Sequence, residues 1–192
     1  MLAALVAGCH PYVSAGVDSS WRVHGPLAAV INQTVATRQT SGAGESPPPT
    51  GNSYAAEIGG KVRDFSVGVG LQAHDASSAS FSLPSFNSGQ QAPDSPHFLA
   101  ATGSIDVRWN WLKLRYFNAN IHAGPARTML FDRMTADVSW GNGYRYGAGF
   151  GVALGAFGVF LDAYHTGVVF GDGPANGYSE LTGVTIGASL NR

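Results

Sequence analysis

Large apolar residues alternate with small or polar residues through a long segment near the carboxyl end of the chain. Phe150 and Val152 are separated by glycine, and after a break at 155–156 the alternation resumes with Val159 and Leu161. Period-two spacing is typical of a β-strand with one apolar face, because successive side chains point to opposite sides of a strand. Two such runs joined by a two-residue break predict a β-hairpin with its large side chains on one face.

The same alternation recurs along the chain and predicts eight strands. They cover residues 12–23, 53–62, 65–74, 98–109, 113–123, 147–154, 157–163 and 178–190. In the first strand, Trp21 and Val23 are assigned to the apolar face together with the valines before them. In the fifth strand, Lys113 and Arg115 fall on the apolar parity, and a β-bulge near 111–112 would restore the alternation.

The predicted connections alternate between long and short ones. The long ones are residues 24–52, 75–97, 124–142 and 169–177, and the short ones are 63–64, 110–112 and 155–156. In a meander of antiparallel strands, this alternation places all long connections at one end of the sheet and both termini at the other. Outer-membrane barrels have this arrangement, with short periplasmic turns and longer extracellular loops.

The composition favours a barrel whose apolar face points outward. Charged residues make up only 12% of the chain, glycines number 26, and no apolar run approaches the roughly 20 residues of a transmembrane helix. The polar face carries mainly Gly, Ser, Thr and Ala, whereas the outside of a soluble barrel would carry many Lys and Glu residues. The alternative is a soluble lipocalin-like barrel, in which the apolar face points inward around a ligand.

The few charges on the polar face come in both signs. Glu57 and Lys61 lie on one predicted strand, and Asp106 and Arg108 lie on another. A sealed interior tolerates charges only when they are paired. These four residues are therefore predicted to form an interior charge network that plugs the barrel.

The sequence predicts neither a cofactor nor a metal site. His74, Asp75 and His97 flank one long connection and are interpreted as solvated loop residues, because their spacing matches no set of metal ligands. The formal net charge of −1 lacks the basic surplus of a nucleic-acid-binding protein.

The closing stretch 181–190 is similar to the last strand of the small eight-stranded outer-membrane barrels of Gram-negative bacteria, and residues 11–190 resemble the OmpA and OmpX membrane-domain type. The resemblance implies an all-β, eight-stranded antiparallel up-and-down transmembrane β-barrel in the outer membrane, with long loops extracellular and both termini periplasmic. We expect a non-enzymatic protein in contact with outer-membrane lipid. Its loops 24–52, 75–97 and 124–142 would act in adhesion, in binding other envelope proteins or in a membrane complex.

The chain has a single cysteine, Cys9, directly after a short apolar stretch. Residues 5–9 resemble the lipobox of bacterial lipoproteins, in which the signal is cut before a cysteine that then carries lipid. The resemblance implies that residues 1–8 are the remnant of a signal peptide, that Cys9 is lipidated and that residues 9–192 form the barrel domain. The alternative is an ordinary secretory signal that contains an incidental cysteine.

His165 and Glu180 are expected near the long-loop end of neighbouring strands, on the lipid-facing parity. This layout resembles the lipid A deacylases of the outer membrane, in which His is the general base for a Ser nucleophile and Glu orients the His. That family has the Ser two positions after the His, where this chain has Gly167, while Thr166 and Ser179 have the opposite parity. A lipid-modifying hydrolase is therefore the alternative function, and polar groups at the membrane boundary are the simpler interpretation.

Overall fold

The computed structural model describes residues 10–28, 30, 52–75, 98–132, 135–173 and 175–191. Cys9, the expected signal remnant 1–8 and most of the expected loops 24–52 and 75–97 lie outside the described residues. The described part of the chain forms eight strands. Their bounds are β1 His10–His24, β2 Asn52–Val62, β3 Phe65–Asp75, β4 Phe98–Lys113, β5 Phe117–Asp132, β6 Val138–Leu154, β7 Phe157–Phe170 and β8 Gly177–Asn191.

Consecutive strands pair antiparallel, and β1 also pairs with β8, so that the sheet closes into a barrel. The prediction of an eight-stranded antiparallel up-and-down barrel is confirmed. Closure gives each of the eight described strands two hydrogen-bonded neighbours, so that none of them has an exposed edge that could pair with another chain.

The two ends of the barrel differ in the length of their connections. One end, called the turn end below, carries residues 63–64, 114–116 and 155–156 together with the first residues of β1 and the last residues of β8. The opposite end, called the loop end, carries the connections after β1, β3, β5 and β7. The prediction of a long loop over 124–142 is wrong, because 124–132 belong to β5 and 138–142 belong to β6.

Near the loop end the inward face becomes apolar and the outward face becomes polar. This reversal explains why the sequence predicted a loop over 124–142. In β5, Leu130 points inward and is buried, whereas Arg127 points outward and is exposed. A search for apolar residues on the outward face therefore fails in this part of the strand.

The expected bulge near 111–112 is confirmed by a register shift between Trp109 and Leu112 in the pairing of β4 with β5. Lys113 is the last residue of β4 and does not belong to β5.

A further bulge in β1 changes the face to which the residues in the second half of this strand point. The register of β1 against β8 shifts between Asp18 and Ser20. The extra residue turns Trp21 and Val23 inward, where both are buried. Their assignment to the outer face is therefore wrong, because a bulge inverts the side-chain parity of every residue beyond it.

An apolar plug fills the loop end of the barrel. It consists of Trp21, Val23, Leu27, Val30, Ala100, Leu130, Val168, Phe170, Ala175 and Leu181. Leu27 lies in a helical turn directly after β1, and its backbone amide donates a hydrogen bond to the Ser179 hydroxyl at 3.0 Å. No helix among the described residues is long and apolar enough to cross a membrane. The plug closes the interior at the loop end by apolar packing.

The outer surface between the two ends carries a broad band of apolar side chains. Ile58 is 62% exposed, Val69 59% and Leu161 45%, and similar residues surround them on neighbouring strands. Soluble monomers rarely expose a contiguous apolar patch larger than a few hundred Å². This band therefore requires apolar surroundings.

Candidate functional site

A first group of polar side chains lies inside the barrel near the turn end. The Arg108 guanidinium donates a hydrogen bond from Nη2 to Glu57 Oε2 at 2.6 Å, and the Tyr12 hydroxyl donates to the other oxygen of Glu57. The Lys61 ammonium lies 5.1 Å from the centre of the Tyr12 ring. The structure thus brings Glu57 and Arg108 into a hydrogen-bonded ion pair and places Lys61 beside it.

A second group occupies the middle of the barrel around His122. Its Nε2 lies 3.0 Å from Asp162 Oδ1 and its Nδ1 lies 3.7 Å from Asp106 Oδ1. Arg145 approaches the same two carboxylates, with 3.6 Å between its Nη2 and Asp162 Oδ2. The Ser104 hydroxyl donates to Asp106 at 2.9 Å. Asp106 therefore belongs to this group and does not pair directly with Arg108, which binds Glu57.

A third group surrounds Asp18 between the middle layer and the plug. Asp18 accepts hydrogen bonds from Ser53 Oγ at 2.5 Å, Gln72 Nε2 at 2.9 Å, the Tyr164 hydroxyl at 2.6 Å and Thr185 Oγ1. Arg145 donates to Gln72 Oε1 at 3.0 Å and so connects this group to the carboxylates of the middle layer. The interior polar groups are therefore linked from Asp18 through Arg145 to His122.

The position of His74 differs from the expectation that it is a solvated loop residue. It is 1% exposed and points into the barrel, so its interpretation as a solvated loop residue is wrong. Its ring centre lies 5.0 Å from that of Trp21 and 6.2 Å from that of Tyr164, and its Nδ1 lies 3.8 Å from Asp18. His74 thus separates the apolar plug from the Asp18 group. Among the residues that the structure describes, no three His, Cys, Asp or Glu side chains are grouped as metal ligands.

A cavity of about 90 Å³ lies in the turn-end half of the interior. It is lined by Glu57, Arg108, Asn120 and other inward-facing residues, and none of the plug residues contributes to its wall. Arg108 Nε, Asn120 Oδ1 and Ser66 Oγ have no hydrogen-bond partner within the described protein. Since a cavity needs only about 10–15 Å³ of such space to hold one water, this cavity has room for several waters that would satisfy these atoms.

Sequence reasoning missed several members of the interior groups. Asp18, Arg145 and Asp162 carry charge on the inward face, yet only Glu57, Lys61, Asp106 and Arg108 were proposed for the network. The positions of two of these residues in the alternation could have revealed them. Arg145 lies between Tyr144 and Tyr146, and Asp162 lies between Leu161 and Ala163, so that both charged residues fall on the face opposite to the large apolar and aromatic residues. The contacts across the barrel depend on register and were not accessible from the sequence.

The second candidate site lies on the outer face near the loop end. His165 faces outward, with its ring centre 4.9 Å from that of Tyr146 and 6.2 Å from that of Tyr144. In the pairing of β7 with β8, His165 is opposite Thr182 and Gly167 is opposite Glu180. The structure therefore places His165 and Glu180 on the same face of neighbouring strands, two positions apart.

A side chain at position 167, where the deacylases have their serine, would meet two tyrosine side chains. A Cβ atom at Gly167 would lie 2.7 Å from Tyr144 Cζ and 2.7 Å from the Tyr178 hydroxyl oxygen. The two tyrosine hydroxyls lie 2.9 Å apart. A serine cannot be accommodated at 167 without moving these rings, and the hydroxyl residues Thr166 and Ser179 are buried on the inward face. The described residues thus lack the serine of a deacylase beside His165.

Comparison with known proteins identifies the fold. No protein-family model and no curated protein sequence matches the chain. Neisserial surface protein A is similar in structure with a TM-score of 0.58 and 12% identity, over 95% of this chain and 96% of that one. The fold is that of the small outer-membrane β-barrels.

Two further solved structures have the same outer-membrane barrel fold. The attachment invasion locus protein Ail of Yersinia pestis, solved in complex with the heparin analogue sucrose octasulfate, has a TM-score of 0.53 and 11% identity over 96% of this chain and 99% of that one. The amino-terminal barrel domain of Pseudomonas aeruginosa OprF has a TM-score of 0.51 and 11% identity over 96% and 98%. At these identities the likeness concerns the outer-membrane barrel fold and leaves individual site residues unassigned.

Proposed function

We propose that the chain is an outer-membrane β-barrel of a Gram-negative bacterium. The observation that carries the proposal is the combination of an exposed apolar band, represented by Ile58 and Val69, with a polar interior in which Glu57 pairs with Arg108. A lipocalin-like ligand-binding barrel requires the reverse arrangement, with apolar residues inside and polar residues outside. In the outer membrane the apolar band faces hydrocarbon and both termini are periplasmic.

The proposed role is non-enzymatic and lies at the loop end. The apolar plug closes the interior at this end, which argues against an open pore, since eight strands leave room for little more than side chains. The loop end would be extracellular and would carry adhesion, binding of an envelope partner or docking to a membrane complex. The segments 24–52 and 75–97 are the longest connections there and are the expected contact regions.

The orientation can be tested by labelling introduced cysteines in intact cells. Asp172→Cys at the loop end is expected to react with a membrane-impermeant maleimide, whereas Ala156→Cys at the turn end should react only after the outer membrane is permeabilised. Both residues are exposed and lie in connections between strands. The unchanged chain controls for the reactivity of Cys9. Reversed labelling would contradict the orientation, and release of the protein in detergent-free buffer would contradict the membrane location.

A lipid anchor at Cys9 belongs to the same proposal. Cys9 directly precedes β1, whose first residue lies at the turn end, so that an acyl chain there would enter the inner leaflet of the outer membrane. We expect metabolic incorporation of an alkyne fatty acid into the chain and its loss in Cys9→Ser. Heat-modifiable gel migration of the variant serves as the control for barrel formation. A parent chain that takes up no fatty acid would rule out lipidation.

A further inference from the structure

Within the part of the chain that the structure describes, the cavity in the turn-end half of the barrel is open at one end only. This space is called the turn-end cavity below. Its wall reaches Lys61, Asn118 and Ala153, each of which is partly exposed and one residue from the turn-end limit of its strand. Its inner limit includes Arg145 and Asp162 of the middle layer, and the apolar plug lies beyond them. The cavity is therefore accessible to small solutes from the turn end, and the plug separates it from the loop end.

The wall of the turn-end cavity carries one more positive than negative charge. Its cationic side chains are Lys61, Arg108 and Arg145, and its carboxylates are Glu57 and Asp162. Both carboxylates have partners inside the barrel, whereas Nε of Arg108 is buried and has no hydrogen-bond partner within the described protein. The spare hydrogen-bonding capacity thus belongs to a cation. A ligand with a single negative charge would balance the wall, and a second negative charge would be in excess.

The surroundings of the opening are also basic. The turn-end connections 63–64 and 114–116, together with Lys113 beside them, carry three cationic side chains and one carboxylate, and the connection 155–156 carries no charge. A rim with an excess of one sign raises the local concentration of ions of the opposite sign. Anions are therefore expected to reach the opening more often than cations.

A large apolar ring, that of Phe160, lies on the inward face beside these polar groups. Phe160 pairs with Gly187, and a Cβ atom at this glycine would lie 2.6 Å from Phe160 Cζ, so that the ring lies over Gly187. The ring is partly exposed and contributes to the wall of the turn-end cavity. Its exposed surface favours contact with an apolar group over contact with water.

A cationic donor and an apolar ring in one small space fit a short aliphatic carboxylate. Arginine N–H groups match the geometry of a carboxylate, and the aliphatic chain would contact Phe160. The cavity of about 90 Å³ has room for several waters and therefore for a molecule of a few carbon atoms. We infer that the turn-end cavity binds a small organic acid anion with one carboxylate on a short aliphatic chain. This binding goes beyond the proposed role of the loop end and does not depend on which compartment the turn end faces.

Saturation-transfer NMR of the full chain in detergent micelles tests the inference, with butyrate as the probe. Butyrate binding is expected to weaken about tenfold or more in Glu57→Gln/Arg108→Met, because this variant removes the charge-assisted contact to the ligand. It removes both charges of the ion pair and so leaves neither of them unpaired. The matched control is Thr102→Val/Thr128→Val, which removes two inward hydroxyls that lie 2.9 Å apart and do not line the cavity. The control should bind butyrate as tightly as the parent chain.

Two further ligands test the charge and the apolar contact separately. Butyramide has the size of butyrate without its charge, and acetate has the charge without the longer chain; each is expected to bind the parent chain about tenfold more weakly. Phe160→Ala should abolish the preference for butyrate over acetate and leave acetate binding unchanged. Equal binding of butyrate and butyramide by the parent chain, or equal binding of butyrate by the two double variants, would overturn the inference. Heat-modifiable migration reports barrel formation of each variant, and the comparison of ligands on the parent chain needs no variant.

Cysteine modification tests the access route on a Cys9→Ser background. Ser14 is partly exposed and lines the turn-end cavity, whereas Thr128 is fully buried and does not line it. Ser14→Cys is expected to react with a small anionic methanethiosulfonate and to react more slowly when butyrate is present, and Thr128→Cys should not react. A reaction of Ser14→Cys that butyrate leaves unchanged would contradict binding in the cavity.

Discussion

Replacing Val69 with arginine is expected to destabilise the folded chain in a bilayer by about 2–4 kcal/mol. Val69 lies in the middle of β3 and pairs with Ile58 and Ile105, which also face outward. A guanidinium among them would face hydrocarbon, where a charge is poorly solvated. The measurement is urea unfolding of the chain in phosphatidylcholine vesicles, followed by tryptophan fluorescence and by heat-modifiable migration.

The matched control places the same charge near the membrane boundary. Leu114 is 60% exposed in the turn-end connection 114–116, and Leu114→Arg is expected to cost about 0–1 kcal/mol. A soluble barrel would respond differently, because exposed substitutions in water usually change stability by less than about 0.5 kcal/mol. Small and equal effects of the two variants would therefore contradict the membrane location.

The middle of each strand was predictable because there the barrel wall has one simple rule. Lipid requires large apolar groups outside, and a narrow interior requires small or paired polar groups inside. Outward residues such as Val69 and Ile105 therefore alternate with inward residues such as Gly70 and Asp106. The closed topology followed from the count of such strands and from the alternating connection lengths.

The loop end was less predictable because the polarity of the inward and outward faces is reversed there. The interior is apolar, as Leu130 and Phe170 show, and the exterior is polar, as Arg127 shows. Sequence reasoning therefore ended β5 too early, and the bulge between Asp18 and Ser20, which it did not predict, left Trp21 on the wrong face. The polar partners inside the barrel depend on which strands face one another across the lumen, and a period-two pattern contains no information about that.

Asp18 is expected to be the most sensitive position of the interior. It accepts hydrogen bonds from four side chains on four different strands, among them Gln72 of β3 and Tyr164 of β7. Asp18→Ala would leave these buried donors without an acceptor and should destabilise the chain by about 3–5 kcal/mol, because each buried donor that is left unsatisfied costs about 1–3 kcal/mol. Urea unfolding in vesicles measures the loss.

Two control variants distinguish the loss of the hydrogen bonds around Asp18 from the loss of a carboxylate alone. Asp137→Ala removes an exposed carboxylate in the connection 133–137 and should change stability by less than about 0.5 kcal/mol. Thr185→Val removes a single donor while Asp18 keeps three, and about 1 kcal/mol is expected. If Asp18→Ala proves as mild as Asp137→Ala, the four hydrogen bonds do not stabilise the barrel. A large loss would instead mean that Asp18 links β1 to its neighbours β2 and β8 and to the next strands β3 and β7, at the level where His74 separates the polar interior from the plug.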